Sequence, residues 1–81
     1  MDEKEIFDKV VKILAPFVKN QEALGSVSND TDILKDLRVN SSRLVDIILQ
    51  FEDEFGIEVQ DEEADKVQTI GAAVGMIKGK V

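Results

Sequence analysis

The chain has 81 residues, 17 acidic and 10 basic, for a net charge of -7, with 43% hydrophobic residues and neither cysteine nor histidine. That length suits one domain over residues 1–81 with one thin core, and the acidic balance argues against nucleic acid and against docking on an anionic membrane, since both select cationic faces. Without cysteine there is no disulfide and no thiolate metal site, and without histidine no Ser-His-Asp or Cys-His constellation, so self-contained hydrolase or transferase chemistry is not expected.

Residues 3–18 read as a helix. Ile6, Val10, Ile13, Leu14 and Phe17 form one apolar stripe at helical period, and Asp2 and Glu3 put negative charge at its start, where the dipole favours it. Pro16 removes a donor and clashes one turn back, so the helix either ends near Ala15 or kinks there. Residues 19–40 read as a long connection rich in turn and cap formers (Gly25, Ser26, Ser28, Asn29, Asp30, Thr31, Asp32), anchored by Ile33, Leu34 and Leu37. Residues 41–55 form the clearest helix. Leu44, Ile47, Ile48, Phe51 and Phe55 make its main stripe, and Val45 and Leu49 an adjacent one. Asn40, Ser41 or Ser42 is its N-cap, and Gly56 its stop. Residues 61–66 read as a short acidic helix begun by Asp61. Thr69 caps a last helix with Ile70, Ala73, Val74 and Ile77 on one face, weakened by Gly71, Gly75 and Gly79. The expected fold is all-α: a small four-helix bundle of three main helices and one short one.

Residues 1–14 alternate charge with apolar groups, unlike a signal peptide, and no segment nears the roughly 20 apolar residues of a membrane span. A cytoplasmic monomer is the default expectation. Charge is uneven along the chain. Residues 43–65 hold nine acids and one base, Arg43, a local net charge of -8. One side is then either a field that steers a basic partner or a solvated face that keeps the protein soluble. Asp30 and Asp32 suggest a calcium loop, but Leu34 and Lys35 stand where such a loop needs a third oxygen ligand and a glycine, so no EF-hand is expected.

A polar loop delivers a serine to the start of the main helix in Asp36-Leu37-Arg38-Val39-Asn40-Ser41-Ser42-Arg43-Leu44, and an acidic segment follows. This arrangement resembles the acyl carrier proteins, whose pattern is Asp-Leu-Gly-x-Asp-Ser-Leu. Phe51-Glu52-Asp53-Glu54-Phe55 is similar to the family's helix end, Asp61 to Val67 to its short third helix, and Thr69 to Val74 to its fourth, all without a gap from Ser41. Arg38, Asn40, Ser42 and Arg43 depart from the pattern around the serine. The resemblance implies 4′-phosphopantetheine on Ser41, made from coenzyme A, carrying acyl groups as thioesters for fatty acid, lipid or polyketide synthesis. The arm would bring the thiol that the chain lacks. Ser42 is the rival position. The implied partners are a holo-carrier-protein synthase and the acyl-transferring and chain-elongating enzymes, and the chain itself is no enzyme. A phosphodiester on Ser41 would meet free N–H groups at the helix start. Arg43, Asp46, Glu52 and Asp53 are the expected docking residues. Leu44, Ile48, Phe51, Val59, Val67, Ile70 and Ala73 are the expected sheath for the acyl chain. The departures point to a specialised discrete carrier. An unmodified interaction module of the same shape, and a carrier of aminoacyl or peptidyl cargo, are the alternatives. Arg43 itself has two readings: partner to an anion, on the arm or on an enzyme, or simply a neighbour of Asp46 on the helix surface.

Overall fold

The computed structural model describes residues 2–81. Four α-helices enclose one core: α1 (Glu3–Leu14), α2 (Leu44–Phe55), α3 (Asp61–Ala64) and α4 (Ile70–Lys78). The bundle is therefore the expected one of three main helices and one short one.

Helix α1 begins where Asp2 Oδ1 accepts the Glu5 N–H at 2.8 Å, an N-cap with Glu3 and Glu5 in the first turn. Its stripe of Ile6, Val10 and Leu14 is fully buried. The expected helix over 3–18 stops at Leu14 and tightens into a 3₁₀ turn, Ala15–Phe17, before Val18 turns extended. Pro16 sits early in that turn, where a missing N–H leaves no hydrogen bond broken. So the proline ends the helix and does not kink it.

The long connection is held by three devices. Gln21–Ser26 forms a second 3₁₀ segment. Asp32 Oδ1 accepts the N–H groups of Leu34 and Lys35 at 3.0 and 2.8 Å, and the Asp32 N–H returns to Asp36 Oδ2 at 2.8 Å. That closed turn drives Ile33 and Leu37 into the core, where both are fully buried, while Leu34 is half-buried. Finally, the connection is stitched to the start of α4. Ile33 N–H donates to Gln68 C=O at 2.9 Å, Ile70 N–H to Thr31 C=O at 3.0 Å and Gly71 N–H to Asn29 C=O at 2.9 Å. A Cβ on Gly71 would lie 2.7 Å from the Asn29 carbonyl oxygen, so the glycine permits a backbone approach that no side chain would.

Thr69 caps α4 as expected, its Oγ1 accepting the Ala72 N–H at 3.0 Å. Gly56 ends α2 in the left-handed conformation, φ 64. The short helix starts at Asp61 as expected, with Gln60 as its N-cap, but is briefer than 61–66. Asp61 is the first helical residue, and the turn beyond Ala64 carries the chain to Val67, which is buried. Helix α1 lies chiefly against α4 and then α2. The fully buried side chains of all three, with Ile33 and Leu37, form the core, and none of the four α3 residues is fully buried.

Candidate functional site

Ser41 is placed by a turn that the helical period does not announce. The expected helix 41–55 begins as a 3₁₀ turn, Ser41–Arg43, and becomes α-helical only at Leu44. Asn40 is the cap. Its Oδ1 accepts the Ser42 N–H at 3.0 Å and the Ser42 hydroxyl at 2.9 Å. The Asn40 carbonyl accepts the Arg43 N–H at 2.8 Å, and the Ser41 carbonyl accepts that of Leu44. Two consequences follow. The Ser42 hydroxyl is committed to the cap, whereas Ser41 is exposed and its hydroxyl has no hydrogen-bond partner among the described residues. And the N–H groups of Ser42, Arg43 and Leu44 are already occupied, the first by the Asn40 side chain and the other two by backbone carbonyls, while that of Ser41 has no acceptor among the described residues.

Beside Ser41 lies an open groove of about 520 Å³ between α2 and α3. Leu44, Ile48 and Val59 line it, three of the seven residues expected to sheathe a chain. Phe51, Val67, Ile70 and Ala73 do not. They are 0–3% exposed in the core, Phe51 on α2, Ile70 and Ala73 on α4, and Val67 in the turn beyond α3. The groove adds residues not assigned to it from sequence: Val45, Leu49 and Ala64, with Asp61 and Asp65 at its α3 side. Val45 and Leu49 are 67% and 56% exposed. They are the second apolar stripe of α2, visible in the sequence but not separable there from core.

The four residues expected to dock partners differ in their surroundings. Asp53 is exposed. Arg43 and Asp46 are paired at 3.4 Å with side chains 63% and 49% exposed, so the reading of Arg43 as a surface neighbour of Asp46 has its contact. Such a pair is worth about 0–1 kcal/mol. Glu52 faces the groove, and its Oε2 accepts the Val59 N–H at 2.9 Å. That bond fastens the loop between α2 and α3 and gives Glu52 a local structural role. Arg38, exposed and three residues before Ser41, has φ 57, the left-handed region that a side chain disfavours.

On the far side of the groove, Glu63 of α3 is held by Lys80, whose Nζ lies 2.9 Å from Oε2 and 3.1 Å from Oε1. The Lys80 hydrogen bond holds the Glu63 carboxyl below its ordinary pKa, against an opposing push from partial desolvation. Among the described residues no group of acids, histidines or cysteines is arranged to hold a metal, and no helix is long and apolar enough to cross a membrane.

The chain has counterparts. A family model described as a phosphopantetheine attachment site matches residues 8–77. The chain is 42% identical over 78 residues to an acyl carrier protein of Lactobacillus acidophilus, covering 96% of this chain and 95% of that protein. It is 35% identical to one of Thermotoga maritima, covering 96% and 94%. The solved acyl carrier protein of Enterococcus faecalis, described for its high thermal stability, superposes with a TM-score of 0.82 at 34% identity, with 100% of both chains covered.

Proposed function

The chain belongs to the acyl carrier protein family, and from that membership we propose that Ser41 is where it bears its phosphopantetheine and that it serves as a specialised discrete carrier. As a member of that family it is a carrier and no enzyme. The single observation that supports Ser41 is the contrast with Ser42. One hydroxyl is exposed, unpartnered among the described residues and at the edge of an apolar groove, while the other is spent on the Asn40 cap. The bound group supplies the thiol that a chain without cysteine lacks. The protein's own part is to present that hydroxyl on a rigid turn and to offer a surface for cargo.

Leu44, Ile48 and Val59 would receive the first carbons of an acyl chain in the groove. A longer cargo would reach Phe51, Val67, Ile70 and Ala73 only by parting helices whose contacts are sealed in this structure. Arg43, Asp46, Glu52 and Asp53 would meet the holo-synthase and the acyl-handling enzymes of the cytoplasm. The specialised reading rests on the surroundings of the serine, where exposed Arg38 and Arg43 flank Ser41 and Asn40 precedes it without charge. A cationic collar of this kind suits partners with acids at that contact. Ser41→Ala should abolish addition of one phosphopantetheine mass from coenzyme A by a broad-specificity holo-synthase, read by intact mass, while Ser42→Ala should still be modified. The reverse pattern would move the site by one residue and end the argument from the cap.

A further inference from the structure

The wall of the groove opposite α2 is four residues long, and every one of them is exposed or half-buried. A helix of one turn without a buried side chain has little to hold it. Among the described residues, the one ion pair that reaches α3 is Glu63–Lys80. Three features make it more than a surface pair. It is bidentate, at 2.9 and 3.1 Å. Its side chains are only 34% and 26% exposed. And Glu63 Oε1 also accepts the Gln60 N–H at 3.4 Å, so the carboxylate that meets Lys80 helps start α3. Lys80 stands on a fixed base, since its N–H donates at 2.9 Å to the carbonyl of Ile77, which is fully buried. On the other side, Glu52 ties Val59 to α2.

From this arrangement we propose that Glu63 and Lys80 are positioning residues for cargo: their ion pair latches α3 to the end of α4 and so keeps the groove wall against a bound acyl chain. The latch acts through α3 and touches no reacting atom. Its bearing on cargo rests on the carrier reading given above, but its effect on α3 does not. Two measurements keep the two apart.

The first is amide hydrogen exchange on the unmodified protein. In Lys80→Met, which keeps the aliphatic stem, and separately in Glu63→Gln, which keeps an acceptor for Gln60, the amides of Ala64, Asp65 and Val67 should exchange roughly two- to fivefold faster, the range of a partly exposed ion pair. Those of Ile48 and Phe51 in α2 should be unchanged, and the melting temperature nearly so. Exchange at α3 unchanged from the wild-type protein in both variants, or a uniform acceleration across α1, α2 and α4, overturns the latch.

The second is the rate at which hydroxylamine cleaves an octanoyl thioester on the modified protein, compared with free octanoyl-pantetheine. The wild-type protein should shield the thioester, and Lys80→Met should lose part of that shielding, with cleavage roughly two- to fivefold faster. Faster exchange with unchanged cleavage of a shielded thioester overturns the coupling between latch and cargo. A wild-type thioester cleaved as fast as the free one overturns the groove as a cargo site, and the proposal for cargo falls with it, while exchange still decides whether the pair holds α3.

Discussion

Arg38 offers a direct test of how the turn before Ser41 is built. Its φ of 57 is the left-handed region, where a Cβ crowds the carbonyl and costs about 1–2 kcal/mol. The side chain is exposed, so no packing is lost when it goes. Arg38→Gly removes that crowding. It also frees the unfolded chain, which subtracts about 0.4–1 kcal/mol. The net expectation is a gain of about 0.5–1 kcal/mol, or a melting temperature higher by about 2–8 °C for a domain of this size. Losing a cation from a chain of net charge -7 adds self-repulsion, so Arg38→Ala is the control. It makes the same charge change and keeps the Cβ. Thermal melts followed by circular dichroism at about 0.15 M salt, where exposed charges are screened within about 8 Å, should rank glycine above both alanine and the parent. If glycine melts no higher than alanine, the backbone at 38 stores no strain and the argument is wrong.

Two glycines of α4 should respond in opposite senses. Gly71→Ala forces a Cβ against Asn29 at 2.7–2.9 Å and should destabilise by on the order of 1–3 kcal/mol, whereas a Cβ on Gly75 meets nothing within 4 Å, so Gly75→Ala should stabilise by about 0.5–1 kcal/mol; urea denaturation with an unchanged slope reads both. The Glu63 carboxyl, held low by Lys80, contributes stability that is complete above its ordinary pKa and is lost as pH falls through its lowered one. A carbon-detected carboxyl titration should show its midpoint rise in Lys80→Met, and an unmoved midpoint would deny the pairing in solution.

The three main helices were legible because each buries a stripe at a period of 3.6, and two of their ends because Gly56 and Thr69 each leave one physical option. What escaped the sequence was settled by contacts it does not encode locally. Asn40, Ser41 and Ser42 are each competent caps, and the choice of Asn40 fell to which side chain closes on the next N–H groups. The left-handed Arg38 carries no signal in its own residue type, and only the glycine of the carrier pattern at that place points to such a backbone. Val45 and Leu49 could not be told from core, because both stripes of α2 are apolar and only the placement of α1 and α4 decides which one is covered. The bond from Glu52 to Val59 spans seven residues and a helix end, so a charge read as a docking group proved also to be a fastener.

That division between covered and uncovered stripes bears on how a small domain can sheathe cargo and stay folded. At roughly 0.05–0.15 kcal/mol per residue, an 81-residue chain has about 4–12 kcal/mol in all. Opening a cavity the size of Phe51 costs about 3–5 kcal/mol, a large share of that total, and Phe51 is fully buried. Cargo that had to displace it would put the fold itself at risk. Cargo held in the proposed groove would avoid this cost. Leu44, Val45, Leu49, Val59 and Ala64 are exposed or half-buried before any ligand arrives, and the wall they share with α3 takes no fully buried side chain from that helix. Movement there exchanges a few partly exposed contacts and one ion pair, while α1, α2 and α4 keep their seams. The apolar surface that looks uneconomical on an isolated α2 is thus the part of the molecule that can be occupied and emptied without repacking the core.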